Sequence, residues 1–360
     1  MKNLSSKSSY IVLGVMSGTS LDGLDLAVVK LNVNNHKWSY DLLYGESLEY
    51  STSWKNKLKN AFSVDNQSLA LLDAEFGEFI GISIQNLIDK KNLAPDFIAS
   101  HGHTIFHQPN NGITVQIGNA TSIYEQTNLP VINNFRALDV SLGGQGAPLV
   151  PIGDKLLFHE YRYCLNLGGI ANISFEEDSK RRAFDICPFN MCLNYLSMQL
   201  GFAFDEGGKL ALSGELDTDL FSQLNNISYC KSLPPKSLGY EEFLELWKPV
   251  LDDSNASTIN KLNTVVEHCA YQIAQSISAK GDSILATGGG AYNKYFISRL
   301  KALTDNEVIV PSDEVIEFKE AIVFALLGAL KFRNEPNCLA SVTGARKNNS
   351  GGDLHGFKVD

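Results

Sequence analysis

The sequence predicts an α/β protein made of two similar lobes. Strand, glycine turn, strand, strand and helix follow one another twice, first from Tyr10 and again from Tyr163. The length of 360 residues agrees with two lobes, because roughly 150 residues per domain is the usual expectation. We therefore predict an N-terminal lobe over 1–140 and a C-terminal lobe over 141–360.

Three predicted strands open the N-terminal lobe. Residues 10–15 are apolar and β-branched, and a turn of small residues at 17–20 separates them from the strand 24–33. Residues 38–50 alternate well enough for a third strand, so this region predicts antiparallel hairpins. A helix is predicted over 68–93, where apolar residues recur at helical spacing. Short buried strands are expected at 96–100, 114–117 and 130–133.

The second lobe is predicted to follow a glycine- and proline-rich segment, 141–151. This segment is expected to be a functional loop that links the lobes, with a plain linker as the alternative. A helix is predicted over 188–200, with Pro188 in its first turn. The strands expected in this lobe are 163–167, 170–175, 182–186, 283–287 and 307–310. Its other helices are expected at 206–224, 240–252, 258–279, 292–303 and 319–332.

Composition and charge narrow the classes of function. A net charge of −10 argues against a general nucleic-acid or anionic-membrane surface, yet leaves room for a local ATP site. The six cysteines include no CxxC pair, which indicates neither a zinc site nor a disulfide framework and suggests a reducing compartment. There is no apolar leader and no run of about 18 apolar residues. We therefore expect a cytoplasmic protein with neither a membrane nor a nucleic-acid partner.

The turn within residues 14–25, GVMSGTSLDGLD, combines glycines, hydroxyls and carboxylates. Glycines let the backbone approach phosphate oxygens and direct N–H groups toward them. Asp22 or Asp25 could hold Mg²⁺, usually through water. A plain hairpin turn is the alternative, but it would need neither the two carboxylates nor the three hydroxyls. The hydroxyls that could donate to phosphate are those of Ser17, Thr19 and Ser20.

Two further glycine turns are predicted in the second lobe. Taken alone, residues 166–172, NLGGIAN, fit a plain tight hairpin as well as they fit a binding loop. Taken with the first turn, they predict a second phosphate loop, so that the two turns would hold one polyphosphate between the lobes. Gly288–Gly290 lie between a strand and a helix, and Asn293 stands where a dinucleotide fingerprint needs its third glycine. We therefore expect this turn to admit the sugar and base of a nucleotide at a helix N-terminus. A P-loop is not predicted, because GxxxxGK[ST] is missing.

Asp185 ends the predicted strand RAFDI, just before a predicted helix. Ligands of α/β proteins bind at the carboxyl ends of strands, which favours a catalytic base at this position. A helix-capping aspartate is the alternative, although the separation from Pro188 makes a simple cap less natural.

Histidines 101, 103 and 107 share one face of an extended segment, which permits a zinc site and hence a metal hydrolase. No acidic ligand lies within the segment, so hydrogen bonding to a substrate or a loop is the favoured interpretation. Glu320 lies at the start of a predicted apolar helix. From the pattern alone, its role is better explained by a favourable interaction with the helix dipole than by a function in the site.

These segments together resemble the anhydro-N-acetylmuramic acid kinases. The family belongs to the actin/hexokinase superfamily, so the resemblance implies a duplicated actin-like/ribonuclease H-like ATPase fold. Each of its two lobes would hold a mixed five-stranded sheet flanked by helices. The matching stretches run in order along nearly the whole chain: GVMSGTSLDGLD (14–25), SHGHTIFHQP (100–109), QIGN (116–119), NFR (134–136) with Asp139, LGGQGAPLVP (142–151), LNLGGIANIS (165–174), FDICPFN (184–190), TGGGAYN (287–293), Glu320 with Ala321, and SVTGA (341–345).

The resemblance implies a reaction and assigns residues to it. Family members open 1,6-anhydro-N-acetylmuramic acid with water and move the ATP γ-phosphoryl group to O6, which gives N-acetylmuramic acid 6-phosphate in cell-wall recycling. Asp185 matches the catalytic base. The expected sugar-binding residues are His101, Arg136, Asp139 and Glu320. The expected ATP-binding residues are Gly18, Thr19, Ser20, Leu21, Asp22, Gly23, Leu24, Asp25, Gly168, Gly169, Gly288, Gly289, Gly290 and Asn293. Mg²⁺ is expected at Asp22 and Asp25 through water, and a homodimer is a further expectation.

One stretch departs from the family pattern. The family's usual Asp-Thr-Gly-Pro-Gly-Asn is DICPFN here, so that Ile186, Cys187 and Phe189 replace a hydroxyl and two glycines, while Asp185 and Asn190 remain. This departure leaves a second hypothesis, in which the chain is a sugar- or nucleotide-binding sensor that no longer turns over.

Overall fold

The computed structural model describes residues 7–18 and 20–357. Its strands are β1 (Ser9–Ser17), β2 (Gly23–Asn34), β3 (Lys37–Glu49), β4 (Phe97–Gln108), β5 (Ile113–Ile117), β6 (Val131–Asn133), β7 (Tyr163–Leu167), β8 (Ile170–Glu177), β9 (Lys180–Pro188), β10 (Ser283–Thr287), β11 (Glu307–Ile309) and β12 (Asp353–His355).

Helices connect and flank these strands. The α-helices are α1 (Thr52–Asn60), α2 (Asn66–Lys91), α3 (Ala120–Thr127), α4 (Ala137–Ser141), α5 (Pro151–Leu157), α6 (Asn190–Gln199), α7 (Lys209–Leu212), α8 (Thr218–Asn225), α9 (Ser228–Lys231), α10 (Tyr240–Glu242), α11 (Lys248–Asp253), α12 (Thr258–Gln275), α13 (Lys294–Leu303), α14 (Asp313–Phe332) and α15 (Ala340–Thr343). Short 3₁₀ turns lie at Ala61–Ser63, Pro109–Asn111, Glu206–Gly208 and Gly289–Tyr292, and a π-helical turn at Phe243–Trp247.

Two sheets share the same strand order. In the first, β3-β2-β1-β4-β6, the strands β1, β2 and β3 are antiparallel, whereas β4 runs parallel to β1 and β6 to β4. The second sheet, β9-β8-β7-β10-β11, repeats this order and these directions. The repetition confirms the predicted duplicated α/β fold with mixed sheets.

The first sheet has seven strands rather than the predicted five. β4 continues beyond the level of β6 and pairs antiparallel with β5, while β12 pairs antiparallel with β6. β12 covers an edge of β6 that would otherwise present unpaired backbone groups. Of its three residues, Asp-Leu-His, only the leucine is apolar, so the sequence pattern gave no strand signal there.

The chain divides into two compact units. The first contains the residues up to Leu157 and those from Phe318 onward, and the second is Phe158–Glu317. The lobes expected from the sequence were divided at 140/141. That division assigned α5 and all residues after Glu317 to the second lobe. The segment after Glu317 belongs with the first unit because β12 joins the first sheet and α14 packs on β1. A Cβ at Gly14 would lie 1.9 Å from the carbonyl oxygen of Ala321, so this contact requires glycine.

Several predicted elements differ at their ends. Pro188 closes β9 instead of opening a helix, and α6 begins at Asn190. β9 is an edge strand, where a residue without an N–H group is tolerated. The helix expected over 206–224 is divided into a turn, α7 and α8. Gly207 and Gly208, which adopt positive φ angles, separate the turn from α7. Helix α1 was not predicted.

Across residues 7–18 and 20–357, no helix combines the length and the apolar character that crossing a bilayer requires.

Candidate active site

The first glycine turn, between β1 and β2, opens onto a cavity of about 340 Å³ in the first unit. A Cβ at Gly18 would meet only the Ser20 hydroxyl, at 3.5 Å, so the backbone here is accessible to a ligand. Ser47 donates a hydrogen bond to the Asp25 carboxylate. The cavity is lined by Met16, Gly18, Ser20, Asp22, Gly23, Asp25, Ser47, Glu49 and Glu320.

Not every residue expected in the phosphate loop lines this cavity. The side chain of Leu24 is fully buried in the core, and that of Leu21 packs against the same core. A Cβ at Gly23 would lie 2.6 Å from the carbonyl oxygen of Leu48, so this glycine permits close approach of β3. Thr19 lies outside the described residues. The described loop residues that line the cavity are therefore Gly18, Ser20, Asp22, Gly23 and Asp25.

Glu320 joins this cavity from α14. The helix is held on the sheet by the contact of Ala321 with Gly14 and by the ring of Phe318 over Gly45. Burial and the neighbouring Asp25 carboxylate raise the pKa of Glu320, while Arg136 and Lys319 oppose the rise. The interpretation of Glu320 as a residue that only serves the helix dipole is therefore insufficient, because its carboxylate faces other charges at a cavity.

Arg136 and His101 form a polar pair beside Glu320. Arg136 donates from Nε to Nε2 of His101 at 3.0 Å and from a terminal nitrogen to the carbonyl oxygen of Gly146 at 2.6 Å. His101 Nδ1 lies 2.9 Å from the carbonyl oxygen of Gly102. Because Nε2 accepts, His101 is a neutral imidazole that donates from Nδ1. Burial, reinforced by Arg136, holds the pKa of His101 well below its ordinary value, which agrees with this tautomer.

Arg136 remains a cation at neutral pH. Burial lowers the pKa of its guanidinium to about 10, and the Glu320 carboxylate opposes this effect. An arginine that is fixed by a neutral histidine and a backbone carbonyl, and that lies within electrostatic reach of a carboxylate, is suited to hold a polar ligand in a fixed orientation.

Asp139 is completely buried and its oxygens are occupied. One oxygen accepts from the backbone N–H of Gly146 at 2.8 Å. The other accepts from Thr343 Oγ1 at 2.9 Å, from Asn349 Nδ2 at 2.8 Å and from Cys338 Sγ at 3.1 Å. Asp139 is thus placed to fix the loop that presents Gly146 to Arg136, rather than to contact a sugar directly as expected from the sequence.

The three histidines of β4 have separate partners. Tyr50 donates to Ser17 Oγ at 2.6 Å, and Ser17 Oγ lies 2.9 Å from His103 Nδ1, whereas His107 lies beside Thr114. Burial lowers the pKa of His103 to about 4. In the part of the chain that the structure describes, no three histidine, cysteine or carboxylate side chains are grouped to hold a metal ion. The zinc-hydrolase interpretation has no support from this geometry.

Asp185 lies in β9 of the second unit, opposite Asn172 of β8. The pairing shifts by one residue immediately after it, and such a bulge re-aims neighbouring side chains. Its Oδ2 accepts the backbone N–H of Leu238 at 2.9 Å. Burial raises the pKa of this carboxyl group, and the Leu238 hydrogen bond opposes the rise. Asp185 is not a helix cap, because α6 is capped at Phe189.

The two glycine turns of the second unit lie together. A Cβ at Gly288 would lie 2.6 Å from Asn166 Oδ1, and one at Gly290 would lie 2.8 Å from Leu167 Cβ, so the turn before α13 packs on the end of β7. Gly289 has open space around it. Gly169 accepts the backbone N–H of Phe189 at 2.8 Å, which joins the β7–β8 turn to the start of α6. The end of β7, from which the β7–β8 turn starts, therefore contacts the turn before α13 within this unit.

Asn293 caps α13, accepting the Phe296 N–H at 2.9 Å through Oδ1. A Cβ at Gly208 would lie 2.1 Å from this oxygen, so Gly207 and Gly208 adjoin the turn. The sequence analysis assigned these two glycines no role in the site. The available signal was the Gly-Gly pair itself, because glycine best tolerates the positive φ angles that these two residues adopt.

Comparison with known proteins supplies the family. The family model described as "Anhydro-N-acetylmuramic acid kinase" matches residues 10–355. A protein of that name from Synechococcus elongatus is 34% identical over 366 residues, which cover 93% of this chain and 96% of the relative. Another, from Francisella tularensis subsp. novicida, is 35% identical over an alignment of 377 residues, which covers 95% of this chain and 97% of that relative.

The chain belongs to the anhydro-N-acetylmuramic acid kinase family. Among solved structures, (R)-2-hydroxyglutaryl-CoA dehydratase component A of Acidaminococcus fermentans matches with a TM-score of 0.44 and 12% identity, over 90% of this chain and 99% of that one.

In this chain, the stretch after Asp185 that departs from the family pattern is part of the core. Phe189 is completely buried, and its ring centroid lies 4.6 Å from that of Phe296. A Cβ at Gly290 would lie 2.3 Å from the Phe189 ring, so the glycine leaves space for it. The added bulk is accommodated by packing, and nothing in the comparisons favours the sensor hypothesis over a kinase.

Proposed function

We propose that this chain is an ATP- and Mg²⁺-dependent kinase for 1,6-anhydro-N-acetylmuramic acid that acts in peptidoglycan recycling. The observation that carries the proposal is the Asp185 carboxylate, whose pKa is raised by burial and which accepts a backbone N–H through one oxygen. A carboxylate with a raised pKa is a stronger base toward water at neutral pH than an ordinary aspartate.

In the proposed reaction, Asp185 takes a proton from a water molecule as the water oxygen attacks the anomeric carbon. The bond between that carbon and O6 breaks, and O6 accepts the γ-phosphoryl group of ATP. ADP leaves, the remaining water hydrogen stays on the new C1 hydroxyl, and Asp185 returns its proton to solvent. Positioning and charge neutralisation suffice for the phosphoryl transfer, so no covalent intermediate with the protein is required.

The cavity beside the first glycine turn supports a role in binding phosphate and metal. Of its four carboxylates, those of Asp22 and Asp25 belong to the turn, are oxygen donors of the type Mg²⁺ prefers, and would hold the ion through water. Bound there, Mg²⁺ would neutralise phosphate charge. Gly18 and Ser20 would contact phosphate oxygens, while Gly168, Gly169 and Gly288–Gly290 would admit the nucleotide.

Arg136, His101 and Glu320 are proposed to orient the sugar, with Asp139 fixing the loop that presents the Gly146 carbonyl to Arg136. A cytoplasmic location is part of the proposal, because ATP is the phosphoryl donor and the six cysteines of the described residues are free thiols.

The test is turnover in ¹⁸O-labelled water. With ATP, Mg²⁺ and the anhydro sugar, mass spectrometry should find one heavy oxygen at C1 and phosphate at O6 of the product. A phosphorylated product with its anhydro ring intact, or heavy oxygen in the phosphate instead of at C1, would contradict the mechanism.

A further inference from the structure

Asp185 lies in an edge strand, and a later segment of the chain covers that edge. β9 is the last strand of the second sheet, so its outward backbone groups face no further strand of that sheet. At Asp185, residues 229–238 supply the partners instead. The N–H of Asp185 donates to the carbonyl oxygen of Lys236 at 3.2 Å, and its carbonyl oxygen accepts from the Tyr229 hydroxyl at 2.9 Å. The peptide groups on both sides of the Asp185 Cα are therefore fixed.

The same segment holds one oxygen of the carboxylate and leaves the other open. The backbone N–H of Leu238 donates to Asp185 Oδ2 at 2.9 Å. Oδ1 has no hydrogen-bond partner among the residues that the structure describes, and it is not sealed from solvent. A base that takes a proton from water needs an accepting oxygen within reach of that water. These contacts therefore make Oδ1 the oxygen that is available to water.

Two neighbours hold the Tyr229 side chain in place. Its ring centroid lies 5.8 Å from that of the fully buried Trp247. Lys236 Nζ lies 4.6 Å from the ring centroid and donates to the Tyr229 carbonyl oxygen at 3.2 Å. Burial, together with the Asp185 carboxylate, raises the pKa of the phenol, so the hydroxyl keeps its proton and donates. Tyr229 and Lys236 thus hold each other, and each holds one side of Asp185.

We propose that Tyr229 is a positioning residue for the base Asp185, acting through its hydrogen bond to the Asp185 carbonyl oxygen to direct Oδ1 toward the attacking water. The inference rests on the proposed function. Because the phenol bonds the backbone of Asp185, Tyr229 contributes to the rate of the chemical step and not to the binding of ATP or sugar.

Tyr229→Phe tests this role, because it removes the hydroxyl and keeps the ring against Trp247. With ATP, Mg²⁺ and the anhydro sugar, kcat should fall about tenfold, since the base stays present but loses one of its anchors. The KM values for ATP and for the sugar should stay the same. The melting temperature should fall by no more than about 4 °C, as for the loss of one hydrogen bond.

The double variant Asp185→Asn with Tyr229→Phe separates positioning from a general structural effect. Residues that act as a unit have non-additive effects on the rate. If the hydroxyl acts through the Asp185 carboxylate, its removal should leave the residual rate of Asp185→Asn unchanged. A further tenfold decrease in the double variant would mean that Tyr229 acts elsewhere, and would overturn the inference.

Tyr10→Phe is the matched control. The Tyr10 hydroxyl also donates to a backbone carbonyl oxygen, that of Lys7, at 2.9 Å, but it lies in the first unit and lines neither cavity. The control should leave kcat unchanged. Wild-type kcat in Tyr229→Phe, or a rise in KM with kcat unchanged, would overturn the positioning role alone. A wild-type protein that does not turn over the anhydro sugar with ATP would overturn the proposed function and this inference with it.

Discussion

At the scale of single residues, Asp185 has the most direct consequence. Asp185→Asn should reduce turnover roughly 10²–10⁴-fold, the usual contribution of a positioned base. The fold should not lose stability, because asparagine can accept the Leu238 N–H and no charge then has to be buried. Steady-state rates and thermal melting, measured on the same preparation, test both parts.

The pH profile provides the control for this substitution. The base must be ionised, so the wild-type rate should fall as pH decreases through the pKa of Asp185 in the folded protein. Because burial raises that pKa, the fall should occur above the pH expected for an ordinary aspartate. The fall should be missing from the residual activity of Asp185→Asn. Near-normal turnover of the variant would remove Asp185 from the mechanism.

The positions of the candidate site residues were predictable where a motif is local and less so where long-range contacts decide. The turn around Gly18 and the strand position of Asp185 followed from short stretches of sequence. The pattern around Glu320 indicated only a helix start, and the resemblance was needed to suggest more. Asp139 was expected to bind sugar, but its partners Thr343 and Asn349 lie about two hundred positions away and no local pattern announces them.

At the scale of elements, a buried ion pair joins α5 to α14. Lys319 Nζ lies 2.7 Å from Asp154 Oδ1, and the two side chains are only 6% and 5% exposed. A Cβ at Gly153 would lie 2.3 Å from Val323, one turn of α14 beyond Lys319, so the helices touch closely. The chain leaves the first unit after Leu157, the last residue of α5, and returns to it at Phe318, within α14.

Asp154→Asn should reduce the free energy of unfolding by about 3–5 kcal/mol, because it removes the carboxylate charge that faces the buried Lys319 ammonium group. The double variant Asp154→Leu with Lys319→Met should recover most of this loss, since apolar groups of similar size need no charge partner. Denaturant unfolding of both variants measures the difference. Equal stability of Asp154→Asn and the wild type would show that this pair does not hold the helices together.

Elements with strong periodicity were predicted well, and those defined by tertiary contacts were not. The apolar residues of α2 and α12 recur at helical spacing, and both helices were expected. β12 has three residues and exists because β6 offers it an edge, which only the folded structure reveals. Proline favours the first turn of a helix, and Pro188 was therefore expected there. An edge strand tolerates a residue without an N–H group equally well.

At the scale of the whole molecule, the two units differ in how the chain builds them. All five strands of the second sheet and its core cluster lie within Phe158–Glu317. The first unit is discontinuous, since α14 and β12 return to it from the C-terminal segment. A boundary placed between two halves of the sequence could not anticipate this return, because local patterns do not report which sheet a later helix covers.

The polypeptide 158–317 should therefore fold by itself and unfold cooperatively, because its sheet and core are complete. The polypeptide 1–157 should not, since it lacks α14 against Gly14 and lacks β12 at the edge of β6. Joining 1–157 to 318–360 through a short flexible linker should restore a cooperative transition. Circular dichroism during denaturant unfolding measures all three. A cooperative transition for 1–157 alone would mean that the contacts of α14 and β12 follow the folding of the first unit rather than complete it.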